Sequence, residues 1–243
     1  ESLKNPKENF RVNSIGTFNI LEAARKNKVM KVVFASSNAA VGEQTPPINE
    51  SMVPAPLSPY GSTKLFGEAL CSAYFNSYGL KTVSLRFANA YGPYSEHKTS
   101  VVAKFIRKAK ASRSLEIYGD GKQTRDFIHA RDICQAIYLC LTKSLLPCTA
   151  SPRQSAGPWG QVFQIATGRE TRVIDLAKFV QASLNASGKR GGRTVFSKAR
   201  IGEIRKNYSD IRKARRLLGF KPRIRLKDGL KDLWHKGGWQ CQT

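Results

Sequence analysis

The chain has 243 residues, of which 41% are hydrophobic, enough apolar material for one large domain or two small ones. Lys and Arg number 41 against 17 Asp and Glu, for a net charge of +24, and no run of about 18 apolar residues exists, which excludes a membrane-spanning helix. The five cysteines form an odd set without a Cys-x-x-Cys pair and the three histidines lie far apart, which argues against a disulfide framework and against a metal site.

The opening ESLKNPKENF has no apolar stretch of the signal-peptide kind, so a cytoplasmic location is expected. The chain starts on Glu1 inside a segment that reads as structured, and a fragment of a longer protein is expected. Much of the basic excess falls after residue 188, in KRGGR, SKARIGEIRK and RKARR, without interleaved aromatics to stack bases. A solvated basic surface is therefore expected in preference to a nucleic-acid site, and phosphate-bearing small substrates suit it.

In chain order, Phe10 to Lys26 places Ile15, Phe18 and Leu21 about a helical turn apart, with Asn27 as a C-terminal cap. Lys31-Val-Val-Phe-Ala predicts a short buried strand running into Ser36-Ser37-Asn38. Thr45 to Pro59, rich in proline, predicts an irregular surface loop crossing that end of the sheet. Ser58 and Pro59 then read as an N-cap and first-turn proline of a helix that runs to about Tyr78, before Gly79.

Thr82 to Phe87 predicts a strand, Val101 to Ala111 a helix, Leu115 to Tyr118 a short strand and Gly119-Asp120-Gly121 a turn. A helix follows from about Ala130 to Lys143, with Ile133, Ile137 and Leu141 on one face. Thr149 to Gly160 reads as a connection, Val162 to Ala166 as a strand, Val173 to Ala186 as a helix, and Ser209 to Gly219 as a capped helix. Alternating helical and strand periods signal an α/β fold with a parallel sheet.

Tyr60-Gly-Ser-Thr-Lys64 puts a phenol and an ammonium on one helical face. An ammonium there can lower the phenol from its usual pKa of ~10 toward working pH, which makes a general acid/base. Ser36 and Ser37 end the preceding strand where open α/β sheets place ligands. A hydroxyl from that position and Tyr60 can share one substrate oxygen.

Together with NSIGTFNILEAAR, VVFASSNAAVG, SPYGSTK, LRFANAYGP, LEIYGDGKQTRDFIHARD, VFQIATG and RIGE, these features make the chain resemble the extended short-chain dehydrogenase/reductases, specifically the UDP-glucose 4-epimerase-like NAD epimerases. The resemblance covers essentially the whole chain. It implies a Rossmann-like doubly wound parallel sheet with a smaller α/β substrate-binding domain, residues 1–88 belonging to the NAD-binding part and 89–243 to the substrate part, with about 126–168 returning to the sheet.

The resemblance makes Tyr60 the catalytic base, Ser37 its catalytic hydroxyl partner and Lys64 also a ribose-binding residue, with Ser36 and Phe87 as further cofactor-lining positions. Asn89 and Arg125 correspond to residues that grip the diphosphate, Glu116 and Tyr118 to the strand that brackets the base, and Arg200 and Glu203 to residues near the second phosphate and ribose. The cofactor implied is NAD, the substrate a UDP-sugar or other nucleotide sugar, and the assembly a homodimer through the Tyr60 helix and its neighbour.

Two departures stand out. Ala40-Val41-Gly42 replaces the Val-Tyr-Gly turn of many relatives, and no Gly-x-x-Gly-x-x-Gly occurs near the N-terminus. The family places that fingerprint roughly 60 to 70 residues upstream of Glu1, so the chain by itself is not expected to hold NAD tightly. Asn38 and Ala39 stand where the resembling dehydratases carry an Asp-Glu pair and decarboxylases a glutamate, which favours epimerisation over 4,6-dehydration. Another nucleotide-sugar reaction, decarboxylation or reduction, and a non-catalytic basic scaffold for polyanions are the competing readings.

Overall fold

The computed structural model describes residues 2–95, 97–142, 157–186, 188, 192–199 and 204–235. Helix α1 (Pro6–Phe10) passes through a π-helical stretch (Arg11–Ile15) into α2 (Gly16–Lys26), followed by β1 (Lys31–Ser37), a 3-10 turn (Asn38–Ala40), α3 (Pro59–Tyr78), β2 (Lys81–Phe87) and β3 (Asn89–Tyr91). Next come α4 (Val101–Lys110), β4 (Leu115–Tyr118), β5 (Thr124–Arg125), β6 (Phe127–His129) and α5 (Ala130–Thr142). The remainder is β7 (Gln161–Ile165), β8 (Thr171–Arg172), α6 (Val173–Asn185), β9 (Thr194–Ser197), α7 (Arg212–Leu218) and α8 (Leu226–His235).

The main sheet is parallel, in the order β1-β2-β7. Its register pairs Ser37 with Phe87 and Phe87 with Ile165, so the three C-terminal ends finish level. That common edge is where helix N-termini and loops converge on a ligand in an open α/β sheet. Smaller pairs are β3 with β6 and β4 with β9, both parallel, and β5 with β8, antiparallel.

Helix α3 starts because Ser58 Oγ accepts the Gly61 N–H at 3.1 Å and Pro59 occupies the first turn. It stops at Gly79, whose φ of 69° only glycine adopts cheaply. Two glycines set where it lies. A Cβ on Gly67 would come within 2.3 Å of Phe34 Cζ, and one on Gly61 within 2.3 Å of the Ala39 carbonyl oxygen. The helix therefore rests directly on β1 and on the turn that follows it, with Tyr60 and Lys64 at the C-terminal edge of the sheet.

One core lies on that sheet, where Val83, Leu85, Phe163 and Ile165 meet Ala214, Leu218 and Phe220. A second joins α4, β4, α6 and α8 through Phe105, Ile117, Leu176, Val180, Leu230 and Leu233. Burying each of these large side chains stabilises the fold by roughly 1.5–3 kcal/mol.

Several helical faces differ from the expected ones. On α2 and the stretch before it the buried line is Ser14, Leu21 and Ala24, while Ile15 and Phe18 are exposed, because Leu21 and Ala24 pack with Cys71 and Tyr74 of α3. On α5, Ile133, Ala136 and Cys140 are buried and Leu141 faces outward. The last helix of the sheet region begins at Arg212, later than Ser209, because Asp210 accepts the Arg212 N–H and Ser209 is buried elsewhere. Most of the expected 149–160 connection lies outside the described residues. No helix among the described residues is long and apolar enough to cross a membrane.

Candidate active site

Tyr60 and Lys64 sit one turn apart at the start of α3, opposite the end of β1. The Ser37 hydroxyl lies close enough to the Tyr60 phenol to lower its pKa, and Ser37 Oγ accepts the Ala39 N–H at 3.2 Å. Lys64 Nζ donates to the Ala35 carbonyl at 2.9 Å and lies 5.7 Å from the centre of the Tyr60 ring. Strand end and helix start thus hold three proton-transfer groups together.

Burial pushes the Tyr60 phenol above its ordinary value and the neighbouring Ser37 hydroxyl pulls it back. Burial also lowers Lys64. Burial is the larger influence on the phenol, which therefore lies above its ordinary value, and Lys64 is not among the groups that shift it.

Ser36, expected among the cofactor contacts, points the other way. Adjacent side chains on a strand alternate faces, and its hydroxyl, 3% exposed, donates to Glu68 of α3. Glu68 also accepts two hydrogen bonds from Arg86 of β2, at 2.8 and 2.6 Å. This brace ties β1, β2 and α3 together behind Tyr60 and Lys64. Sequence reading missed Glu68 and Arg86, although Glu68 stands one further turn beyond Lys64 on the same helix.

Asn38 is buried, and its amide donates to Ser209 Oγ at 2.9 Å. Its side chain belongs to the packing of residues 207–209 against the sheet. Parallel bridges pin the proline-rich loop nearby, Gly42 with Ala55 and Ile48 with Ser209.

Asn89, Glu116, Tyr118 and Arg125 line one cavity of ≈ 640 Å³. Arg125 Nη1 donates to the Thr124 and Ile204 carbonyls at 2.7 and 2.8 Å. The Glu116 carboxylate accepts from Ser197 at 2.8 Å and Lys108 at 3.1 Å, and these bonds hold it below the usual carboxylate range. The Arg205–Asp120 pair, at 2.8 Å, lies at the 119–121 turn, and mainly through that bond Asp120 falls to about 2. Arg200 and Glu203 lie outside the described residues.

The structure thus forms two groups from the expected residues. Ser37, Tyr60 and Lys64 are at the sheet edge and do not line this cavity, whereas Asn89, two residues beyond Phe87, leads from one to the other. Lys104, Lys108 and Gln123 also line it and were not anticipated. Gln123 Oε1 is buried without a hydrogen-bond partner among the described residues, although its amide nitrogen donates to the Tyr118 carbonyl at 2.8 Å. Nothing in its sequence surroundings marks this orphaned acceptor.

The residues present fit the nicotinamide-ribose half of a dinucleotide. Lys64 has three donors and uses one on Ala35, and half-buried Phe87 ends β2 beside Ser37. Among the described residues no group of three or more His, Cys, Asp or Glu side chains is placed to hold a metal ion.

Residues 1–147 match the family described as "NAD dependent epimerase/dehydratase family". A putative UDP-glucose 4-epimerase of Methanocaldococcus jannaschii is 37% identical over 235 residues, covering 95% of this chain and 70% of that protein. The UDP-glucose 4-epimerase of Thermotoga maritima, solved with UDP-glucose, superposes with a TM-score of 0.83 at 31% identity, covering 97% of this chain and 73% of that one. The UDP-glucose 4-epimerase of Thermus thermophilus, solved in complex with NAD, gives a TM-score of 0.80 at 28% identity, over 95% of this chain and 71% of that one. With its Rossmann-like parallel sheet and the Ser37, Tyr60 and Lys64 cluster at the sheet edge, the chain belongs to the NAD dependent epimerase/dehydratase family.

Proposed function

We propose that the protein inverts C4 of a nucleotide sugar, of the UDP-hexose type, with Tyr60 as the base. The observation that carries this reading is the convergence of Tyr60, Ser37 and Lys64 at the C-terminal edge of the sheet, with Lys64 Nζ 5.7 Å from the centre of the Tyr60 ring. When bound, NAD supplies a reversible hydride acceptor. Tyr60 accepts the proton of the C4 hydroxyl, Ser37 steadies the same oxygen, and Lys64 favours the phenolate by its charge. Asn89 and Arg125 orient the diphosphate, an arginine being suited to paired phosphate oxygens, while Glu116 and Tyr118 flank the nucleoside. Arg200 and Glu203 belong to the same substrate site in this proposal.

The buried Asn38 amide and Ala39 offer no acid next to Ser37 to protonate a leaving hydroxyl, which supports epimerisation over dehydration. We propose the same division as the family's, with residues 1–88 in the cofactor part and 89–243 in the substrate part. The exposed Phe10 and Phe66, whose rings are 6.4 Å apart, support a homodimer through α3 and its neighbour.

The test uses the whole open reading frame that encodes these residues, with NAD. UDP-glucose and UDP-galactose should each be converted to the same equilibrium mixture, and Arg125→Ala should weaken UDP-sugar binding about 10- to 100-fold by calorimetry. Unchanged affinity in that variant would remove Arg125 from the substrate site.

A further inference from the structure

A second cavity, of ≈ 570 Å³, lies apart from the sugar-nucleotide cavity, between the loop after β7, helix α7 and the segment that enters α8. Six cationic side chains line it: Arg169, Arg215, Arg223, Arg225, Lys227 and Lys231. They come from three separated stretches of sequence, so folding and not a basic run assembles them. The one carboxylate among the lining residues, Asp228, is held by Arg225 at 2.6 Å. Lys227 lies 4.7 Å from the centre of the Phe179 ring, and Arg169, Arg215, Arg223 and Lys231 make no ion pair among the described residues.

Two buried aspartates fix the rims that carry these cations. Asp126, 0% exposed, accepts the Thr167 and Gly168 N–H groups at 2.9 and 2.8 Å, and so holds the loop bearing Arg169. Asp132, 3% exposed, accepts the Arg223 and Ile224 N–H groups at 2.9 and 3.1 Å. Both carboxylates anchor backbone, and the Arg169, Arg215 and Arg223 guanidinium groups have no acidic partner among the described residues. A cavity whose rims are anchored through the backbone and which gathers so many like charges is suited to a multivalent anion. Several arginines suit phosphate oxygens in particular.

We propose that this cavity is a second ligand site, which binds an oligophosphate chain, either free or as the tail of a nucleotide. Phe127 and Phe179 supply an apolar wall beside the cations. The proposal does not depend on the epimerase reading.

The test is calorimetric titration of the 243-residue chain with sodium tripolyphosphate at low and at physiological salt, alongside ATP. Binding that weakens as salt rises is expected, with a loss of about tenfold or more in the double variant R223E/K231E. Circular dichroism checks that the variant, altered only at surface positions, stays folded. Tighter binding of ATP than of tripolyphosphate would assign the nucleotide source, and equal binding the free polyanion. No binding, or equal binding by R223E/K231E, would overturn the proposal. So would loss of tripolyphosphate binding in Arg125→Ala with full binding in R223E/K231E, which would place the anion in the sugar-nucleotide cavity.

Discussion

Tyr60→Phe is expected to lower kcat for nucleotide-sugar epimerisation by about 10²- to 10⁴-fold, the usual contribution of a positioned general acid/base. The substitution removes one oxygen, keeps the ring against Lys64, and leaves the cavity lined by Asn89, Glu116, Tyr118 and Arg125 unaltered. UDP-sugar affinity and melting temperature should therefore stay close to those of the parent protein. Ser37→Ala should cost less, because Ser37 steadies the oxygen that Tyr60 deprotonates. Steady-state kinetics on the three proteins checks the order, and parental kcat in Tyr60→Phe would contradict the assignment of the base.

The second large effect is on stability. Glu68→Ala is expected to destabilise the fold by about 3–5 kcal/mol, the range for removing one member of a buried ion pair. Both side chains of the Arg86–Glu68 pair are 4% exposed, so neither water nor salt can replace the lost partner. Arg86 Nη1 is already buried without a hydrogen-bond partner among the described residues, and the substitution would leave the whole guanidinium uncompensated, together with the Ser36 hydroxyl. Replacing Glu68 and Arg86 together by apolar residues of similar size should recover much of the loss. Urea denaturation of the single and double variants measures this, and a change below about 1 kcal/mol in Glu68→Ala would show that the brace contributes little.

Local rules made the elements around the site legible. Ser58, Pro59 and Gly79 mark both ends of α3, and the turn and strand chemistry of VVFASS and LRF places two strand ends at the ligand edge. The spacing of Tyr60 and Lys64 requires only a helix, and a helix is there. What the spacing leaves open is depth. Ser36 and Ser37 look alike in sequence, and alternation on β1 sends one to Glu68 and the other to Tyr60.

Tertiary partners account for the remaining differences. Strands β3, β6, β8 and β9 are two to four residues long and exist because a distant segment pairs with them, as when Thr194–Ser197 lies alongside Leu115–Tyr118. Helix α8 follows the spacing of Leu226, Leu230 and Leu233, and became recognisable only against α6. The outward Ile15 and Phe18 show that an apolar line on a helix need not face the core of its own chain. The basic residues after 188 likewise sort only in three dimensions. Arg212 pairs with Asp210, Lys213 donates to the Val162 carbonyl, and Arg215 turns to the second cavity.

Oxidation and reduction at one sugar carbon is the centre of the proposed reaction, and the isotope at that carbon reports it directly. UDP-glucose carrying deuterium at C4 is incubated with the product of the whole open reading frame and NAD, and the products are read by proton NMR. The account predicts UDP-galactose that retains deuterium at C4, because the hydride returns to the carbon it left. Deuterium exchanged into water, or moved to C6 of a 4-keto-6-deoxy sugar, would contradict it.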